Sequence, residues 1–457
     1  MQRTLARRAP GQIAALVTVV ALGLSACGSE SKDTPAAGGK VTITVTGQPP
    51  SSQAVERKLF DQDVAEFEAA NPNIDIEPHE GFMDPKTFSA KLAGGQLEDV
   101  YYVYFTDPAT IIARRQAADI TEAAKDLPVL KQLQQPLIDI FKDKNGKLYG
   151  LPTANYSMGL LYNKALFTKA GLDPDKAPST WDEVREAARK IAALGNGTVG
   201  FAETSKNNQG GWHLVTWAYA NGSQIARQEG EKWAADFNNS KVKGSLQLLK
   251  DMRWADDSMG AKQLLEATDL QRMMGAGQLG MYLAAPDNVP VLVKEFKGKY
   301  EDYGVAAMPG GQGTLLGGEG YMINPKASPE KIKAGLTWIQ WKYLNPDRIE
   351  TQIKRYLDEK QPIGLPAIPT PDIWTGDVRA KQTELKTKYA NVPEKNFQSY
   401  LDGNTKLKGN LEPPNAQQVY AVLDNVMQAV LTNKDANIDQ LLSDAEAKVN
   451  SALAQVK

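Results

Sequence analysis

Residues 149–183 carry the pattern that decides the fold, and they read YGLPTANYSMGLLYNKALFTKAGLDPDKAPSTWDE. Pro152 interrupts the pattern, and the apolar run 159–162 after it predicts a buried strand. Thr180 and Glu183 have the spacing of a capping box, which predicts that a helix starts there. This stretch therefore marks the point where one α/β series ends and a second begins.

The residues before this stretch alternate between strand and helix signals. Residues 41–45 and 74–76 alternate apolar and polar side chains, as strands do, and an amphipathic helix between them must end at Asn71, before a proline. A short helix is predicted near 85–93 and an aromatic-rich strand at 100–105. This β-α-β-α alternation predicts an α/β fold with a mostly parallel sheet and helices on its faces.

The residues after the stretch continue the alternation. Trp181 and Trp217 are predicted to be core residues, the first because it belongs to the buried stripe of the capped helix. The Gly-rich run 310–320 has neither a P-loop lysine nor a following helix, so we predict a mobile loop beside a ligand. Helices are predicted at 241–256, 269–275, 289–296, 332–343 and 419–430, and strands at 279–283, 303–307 and 320–323.

Composition excludes several classes of protein. The 457 residues include 52 Lys and Arg against 54 Asp and Glu, a net charge of -2, so nothing attracts the whole chain to nucleic acid. Only two histidines and one cysteine are present, which argues against histidine-rich metal sites, disulfides within the chain and zinc–thiolate clusters. We therefore expect neither a metal nor a cofactor.

The N-terminus has the pattern of a bacterial lipoprotein signal. Three arginines precede the apolar run 13–24, which is too short to span a bilayer. It ends in Leu-Ser-Ala-Cys, where Cys27 would receive the lipid; the alternative is a plain signal peptide with a chance cysteine. The prediction is a signal peptide at 1–26, lipidation of Cys27, and a flexible tether at 27–39.

Four motifs in this order resemble the extracellular solute-binding proteins of ABC importers, specifically the carbohydrate-binding group that includes maltose-binding protein. The resemblance covers nearly all of the chain after the signal peptide. The motifs are Tyr149-Gly150-Leu151-Pro152, Leu161-Tyr162-Asn163-Lys164, Ala170-Gly171-Leu172 and Thr180-Trp181-Asp182-Glu183.

The resemblance implies two α/β lobes joined by hinge crossings, with a ligand cleft between the lobes. It places hinges near 153–155, 306–309 and 362–366, where proline or glycine interrupts the pattern. The implied first lobe comprises residues 40–152 and 309–362, and the implied second lobe comprises residues 153–308 and 364–457.

The resemblance also implies which residues reach the ligand. Trp212 has support of its own, because it follows two glycines at an element start and sugar rings stack on indoles. The full set is Gln48, Phe105, Asp107, Asn155, Tyr156, Trp212, Asp287, Asn288, Gly318 and Glu319.

Two of these positions depart from the family pattern. Asp287 and Glu319 stand where many sugar binders carry stacking tryptophans. If both face the cleft, they favour a small ligand that is rich in hydroxyls or carries an amine. The alternative is a local slip of the alignment, which would leave both acids solvated at the rim of the cleft.

The implied function is a non-enzymatic, lipid-anchored carrier on the outer face of the cell membrane. As a monomer, it would capture a sugar or polyol by lobe closure and deliver it to the permease of an ABC importer. Two alternatives stay open: an extracellular carbohydrate-active enzyme, which needs two converging carboxylates, and a carrier of amino sugars or other cationic solutes.

Overall fold

The structure is a computed structural model that describes residues 39–81, 85–230, 232–366, 372–404 and 406–456. The predicted signal peptide, Cys27 and almost all of the predicted tether lie outside the described residues. The strands, numbered along the chain, are β1 (Val41–Gln48), β2 (Ile74–Glu80), β3 (Val100–Tyr104), β4 (Gly150–Ser157), β5 (Gly159–Asn163), β6 (Val199–Phe201), β7 (Ala226–Glu229), β8 (Lys232–Ala235), β9 (Leu279–Ala284), β10 (Tyr303–Ala306), β11 (Thr314–Ile323) and β12 (Gly409–Leu411).

Helices connect these strands and cover the faces of the sheets. They are α1 (Ala54–Ala70), α2 (Pro85–Ala93), α3 (Pro108–Ala113), α4 (Thr121–Ala124), α5 (Gln135–Asp139), α6 (Lys164–Lys169), α7 (Trp181–Ala192), α8 (Gln209–Ala220), α9 (Ser240–Trp254), α10 (Ala267–Gly275), α11 (Asn288–Phe296), α12 (Pro329–Tyr343), α13 (Ile349–Asp358), α14 (Gly376–Tyr389), α15 (Gln398–Asn404), α16 (Ala416–Thr432) and α17 (Ile438–Leu453). Among the described residues, no helix combines the length and apolar character that crossing a membrane requires.

The first sheet has the strand order β12-β11-β3-β1-β2, and β4 pairs with β11 beside this path. Its core is built from strand residues such as Val45 and Val103 together with Trp338 of α12. α1 ends at Ala70 and Asn71 caps it, as predicted, because Pro72 cannot follow a helical residue without a clash.

The second sheet has the order β10-β5-β9-β6, and apolar cores cover both of its faces. Helices α7, α8, α9, α16 and α17 supply one core, and α10 and α11 supply much of the other. The predicted capping box of α7 is confirmed: Thr180 Oγ1 accepts the N–H of Glu183 at 3.2 Å, and Glu183 Oε2 accepts the N–H of Thr180 at 3.1 Å.

The prediction of a mostly parallel sheet is confirmed for the first sheet, where the pairs β1–β2, β1–β3 and β11–β12 are parallel, but it does not extend to the second sheet, where, of the described strands, only β6 and β9 pair in parallel. β11 runs antiparallel to both β3 and β4, and β5 runs antiparallel to both β9 and β10. The reason is topological. β11 re-enters the first sheet from the second, so it points opposite to the strands that start there.

The prediction of a mobile loop at 310–320 is wrong for most of that run, because residues 314–320 belong to β11. The strand forms a two-stranded ribbon with β4, in which Leu316 pairs with Ser157 at one end and Met322 pairs with Gly150 at the other. The glycines of this strand allow side chains to pack directly against its backbone.

The β4–β11 ribbon connects the two cores. On β4, Leu151 lies in the core of the first sheet, and Met158 just after the strand lies in a core of the second. On β11, Leu315 lies in the second core and Met322 in the first. Trp374, beyond the proposed boundary at residue 364, also packs in the core of the first sheet. The lobe boundaries themselves stay a prediction.

Candidate functional site: an acidic cleft at the crossing strands

The middle of the β4–β11 ribbon brings several predicted ligand residues together. Glu319 on β11 pairs with Tyr104 at the end of β3 on one side and with Ala154 of β4 on the other. Gly318 pairs with Asn155, and Gly317 pairs with Tyr156. Strand register alone therefore places Asn155, Tyr156, Gly318 and Glu319 side by side where the chain passes from one core to the other.

The two glycines of this strand allow aromatic rings to lie directly on the backbone. A Cβ on Gly317 would overlap the ring of Tyr156, and a Cβ on Gly318 would overlap the ring of Phe105. Phe105 is itself buried, and it packs edge-on against Phe141 with ring centroids 6.1 Å apart. Because successive strand residues face opposite sides, Phe105 packs on the face of β11 opposite to Glu319 and Tyr156, and the contact of Phe105 and Gly318 with a ligand stays a prediction.

Glu319 lies among tyrosines rather than cations. The hydroxyl of Tyr102 donates a short hydrogen bond to Glu319 Oε2. Burial raises the pKa of Glu319 above its ordinary value, although the hydrogen bond from Tyr102 opposes the shift. Tyr104 stands edge-on to Tyr102 with ring centroids 5.0 Å apart, and 44% of Tyr104 is exposed, so its ring is available to a solute.

Glu412, just after β12, is a second carboxyl of the same kind. Tyr420 of α16 donates a hydrogen bond of 2.6 Å to Glu412 Oε1. Burial raises the pKa of Glu412, and the negative charge of Asp107 raises that pKa further. The hydrogen bond from Tyr420 acts in the opposite direction and lowers it. Asp107 accepts the backbone N–H of Tyr104 at 2.9 Å, and burial raises its pKa as well.

The charges of several carboxyls act on Tyr156, and one of these acids, Asp287, lies in the loop between β9 and α11. Burial raises the pKa of the Tyr156 hydroxyl, and the negative charges of Glu412, Asp287 and Glu319 raise it further. The surrounding protein also raises the pKa of Asp287, but its side chain remains exposed and solvent limits the effect. Of these acids, Glu319 lies on β11 and Glu412 follows β12, both in the first sheet, whereas Asp287 follows β9 of the second sheet.

Cations are missing from the surroundings of these carboxyls. Within the described ranges, no Lys, Arg or His nitrogen lies within 4.0 Å of Asp107, Asp287, Glu319 or Glu412. No three acids or histidines of the described part of the chain are grouped so that they could hold one metal ion. These four carboxyls therefore have no ion-pair partner among the described residues.

Asn155 adds a further unsatisfied acceptor. Its Oδ1 is buried and has no hydrogen-bond partner among the described residues. A buried carbonyl oxygen without a partner is costly, so a ligand N–H or O–H at this point would be stabilising. Asn288 differs, because its Oδ1 already accepts hydrogen bonds from Gln271 at 3.0 Å and Tyr282 at 3.2 Å.

Two other predicted residues have different surroundings. Gln48 is buried at the end of β1, where its Nε2 donates to Asp61 Oδ1 at 2.9 Å. Trp212 is half-buried in the first turn of α8, with its ring 5.1 Å from the ring of His213. Its contact with a ligand stays a prediction.

A buried polar network joins α8 to Glu203. Glu203 is fully buried and accepts hydrogen bonds from Trp217 Nε1 at 2.8 Å, while His213 Nδ1 lies 2.5 Å from its other oxygen. Trp217 also stacks on Trp181 with ring centroids 3.8 Å apart. The prediction that Trp217 is core is confirmed. The same prediction is only partly correct for Trp181, which packs on Trp217 at the edge of the core but stays half-buried because it is the first residue of α7.

Sequence reasoning missed Tyr102, Tyr104, Glu412 and Tyr420. A signal for the first two existed, because alternate residues of the aromatic strand share one face. No local signal marks Glu412. It reaches the site only because β12 pairs with the start of β11.

Comparison with known proteins identifies the family and the fold of the chain. Residues 51–344 match the family model of the bacterial extracellular solute-binding proteins. A binding protein of Brucella abortus is 26% identical over 294 residues, 60% of this chain and 64% of that protein. The sn-glycerol-3-phosphate-binding periplasmic protein UgpB of Salmonella typhimurium is 28% identical over 211 residues, 44% of this chain and 47% of its own length. The chain thus spans less than two thirds of the length of these curated relatives.

A solved structure shares the fold over nearly the whole chain. It is an ABC transporter solute-binding protein from Thermotoga lettingae bound with α-D-tagatose, with a TM-score of 0.68 at 21% sequence identity. The match covers 91% of this chain and 100% of that one, which confirms the predicted two-lobe fold of a periplasmic solute-binding protein. Because the family model matches more than half of its residues, the chain belongs to the bacterial extracellular solute-binding protein family.

Proposed function

We propose that this protein is an extracytoplasmic carrier that captures a sugar or polyol between its lobes and delivers it to the permease of an ABC importer. The observation that carries the proposal is the set of hydrogen-bonding groups along the β4–β11 ribbon and beside it, where Tyr102 bonds to Glu319 and Tyr420 bonds to Glu412. Hydroxyl groups donate to carboxylates and carbonyl oxygens, and sugar C–H faces pack on aromatic rings such as Tyr104. The tagatose complex of the Thermotoga lettingae protein, which shares the fold, supports this ligand class.

The mechanism is lobe closure around the solute. Asp287 lies in the loop after β9 of the second sheet, whereas Glu319, on β11, pairs with β3 of the first. A solute that bonds to both acids at once is bound best when the lobes are together, so it shifts the equilibrium toward the closed form by its differential affinity. Closure also excludes water, which strengthens the bonds to hydroxyls. The closed form is then the one that the permease receives.

A binding screen tests the proposal. Sugars and polyols are added to the purified protein, and the unfolding midpoint is followed, because a ligand bound only by the folded state raises it. We expect at least one of them to raise the midpoint in a saturable way, with 1:1 stoichiometry and no change in the solute. If no sugar or polyol binds, the proposed ligand class is wrong.

A carbohydrate-active enzyme is the second candidate, and one observation favours it. The raised pKa of Glu319 and of Glu412 is a property that general acids of glycosidases use. Incubation with glycosides separates the two functions: product formation that Glu319→Gln abolishes would replace the carrier proposal. We expect stoichiometric binding without product.

Replacing Trp212 with alanine should weaken binding of the identified solute by about 1–3 kcal/mol, the range for a lost aromatic contact. Trp233, also half-buried and packed against the same core but on β8, provides the matched control. Calorimetry on Trp212→Ala and Trp233→Ala measures the difference. Equal affinity in the two variants would remove Trp212 from the site.

The lipid anchor is part of the proposal, and Cys27→Ser tests it. Cys27 is the only cysteine of the chain and lies before the described residues, so the variant should fold and bind solute normally. We expect it to be released from the membrane fraction, because a thiol is needed to accept the lipid. Retention in that fraction, after normal processing, would disprove lipidation. The monomeric state is checked on the same preparation by light scattering.

A further inference from the structure

We propose that Glu56 of α1 and Lys294 of α11 form an ion pair that holds the two lobes together and thereby raises the affinity for the solute without touching it. The inference rests on the proposed function, because it concerns the closure of the lobes around the same cleft. No sequence pattern marked either residue, since they are 238 positions apart in the chain.

The ion pair joins elements of different cores. Lys294 Nζ lies 3.2 Å from Glu56 Oε1. α1 contributes Phe60 to the core of the first sheet, whereas α11 contributes Leu292 to a core of the second sheet. No other ion pair of the described residues links an element of the first sheet's core to an element of the second sheet's cores. The contact is therefore a specific link between the lobes, away from the strands that connect them.

Both residues lie on helices that begin where the two sheets face each other. β11 leads from the second sheet's core to the first, so β3, antiparallel to it, and β1, parallel to β3, run toward the second sheet. β9 runs toward the first sheet, because it is antiparallel to β5, which leads away from the crossing. α1 follows β1 and α11 follows β9, so the contact joins two facing edges. Opening of the lobes separates Glu56 from Lys294.

The lobes are not packed against each other beside the ion pair. A cavity of about 380 Å³ lies between Val293 and Lys294 of α11 on one side and residues 360–362 on the other. Val293 packs against a core of the second sheet, and Ile363, directly after the other wall, belongs to the core of the first. Movement of the lobes at this point breaks no packed apolar contact across the cavity, so the ion pair is the interaction that opposes it.

The exposure of the ion pair sets the size of the effect. The side chain of Lys294 is 48% exposed and that of Glu56 is 38% exposed. A pair of this kind changes an equilibrium constant by about two- to fivefold. The open and closed forms of a carrier are close in free energy, so a change of this size shifts their populations and the apparent solute affinity.

The distance between the lobes is the direct measurement. Cys27→Ser removes the only cysteine of the full chain, and Asp126→Cys with Asp182→Cys then places one spin label on each lobe. Both labelled positions are exposed; Asp126 follows α4 of the first core, and Asp182 lies on α7 of the second. Pulsed electron paramagnetic resonance on the solute-free protein reports the ratio of short to long distances. We expect both distances in the parent.

Charge reversal assigns the effect to the two residues. Glu56→Lys places two cations side by side and should lower the ratio of short to long distances by about two- to fivefold. Adding Lys294→Glu restores opposite charges and should restore the ratio. The control, Asp439→Lys, breaks the 2.6 Å ion pair with Lys243 between α17 and α9, which belong to one core. We expect the control to change the ratio by less than about twofold.

Solute affinity is the second readout. The probes are D-tagatose, maltose and ribitol, titrated by calorimetry into the parent, Glu56→Lys, the double reversal and the control. The affinity for a probe that binds should fall in Glu56→Lys by up to the factor seen in the distance ratio, and it should recover in the double reversal. A merely structural defect of α1 would lower the unfolding midpoint, and the second reversal would not repair it.

The outcomes separate this inference from the function on which it rests. Equal distance distributions in the parent, Glu56→Lys and the double reversal overturn it, and so does a shift that Lys294→Glu does not reverse. Because the distance measurement needs no solute, it decides even if no sugar or polyol binds, a result that defeats the proposed function and leaves the contact between the lobes intact. Glu56→Gln with Lys294→Met, which removes both charges with little change of shape, provides the same comparison should Glu56→Lys not fold.

Discussion

Asp63→Ala should lower the free energy of unfolding by about 3–5 kcal/mol, the cost of removing one partner from a buried ion pair. Asp63 on α1 accepts Lys342 Nζ at 2.7 Å, Arg348 Nη2 at 2.8 Å and Arg355 Nη1 at 2.9 Å. Burial already lowers the pKa of Lys342, so its charge depends on this carboxylate. Without it, three enclosed cations repel one another between α1, α12 and α13.

The nearby Glu66 provides the matched control. It also contacts Arg348 and Arg355, but about half of its side chain is exposed. Glu66→Ala should therefore cost only about 0–1 kcal/mol, the usual value for an exposed ion pair. Urea unfolding of both variants measures the two costs. A loss below about 1 kcal/mol in Asp63→Ala would show that water reaches the cluster and hydrates the cations.

Trp217→Ala should lower the free energy of unfolding by about 3–5 kcal/mol, the range for truncating a buried tryptophan. Trp217 is fully buried, stacks on Trp181 and donates a hydrogen bond of 2.8 Å to Glu203. The alanine variant leaves a cavity and also removes one partner of a fully buried carboxylate, so both costs add.

Two further variants separate these costs. Trp217→Phe keeps most of the ring but loses the N–H, so it should be destabilised by about 1–3 kcal/mol, the cost of stranding the buried Glu203 oxygen. Trp212→Ala, on the same helix but half-buried, should cost about 1 kcal/mol in the solute-free protein. Thermal and urea unfolding measure all three. A larger loss in Trp212→Ala than in Trp217→Ala would reverse the roles of the two tryptophans.

The sequence by itself determined the elements and the family. Sequence patterns predicted an element correctly where its cause lies in neighbouring residues. The capping box of Thr180 and Glu183 starts α7, Pro72 ends α1, and the apolar run 159–162 forms most of β5. The ordered motifs of residues 149–183 led to the family, because they combine a strand crossing with a helix start in a fixed order.

Sequence patterns failed where a residue acts on a distant strand. The run 310–320 looked like a loop because glycine is common in loops, yet Gly317 and Gly318 are strand residues that admit the rings of Tyr156 and Phe105. The direction of β11 could not be read from alternation either, since it depends on the strand from which the chain returns.

The tertiary structure alone decided the composition of the cleft. Asp287, Glu319 and Tyr156 were all named from the sequence, but it did not show that the charges of both acids act on Tyr156. Glu412 carries no local signal, and it joins the site because β12 pairs with β11 and Tyr420 orients its carboxyl. Burial and the distance to the nearest cation depend on where a residue lies in the folded protein. Sequence spacing could therefore identify the individual acids, but it could not show that they lack cationic partners.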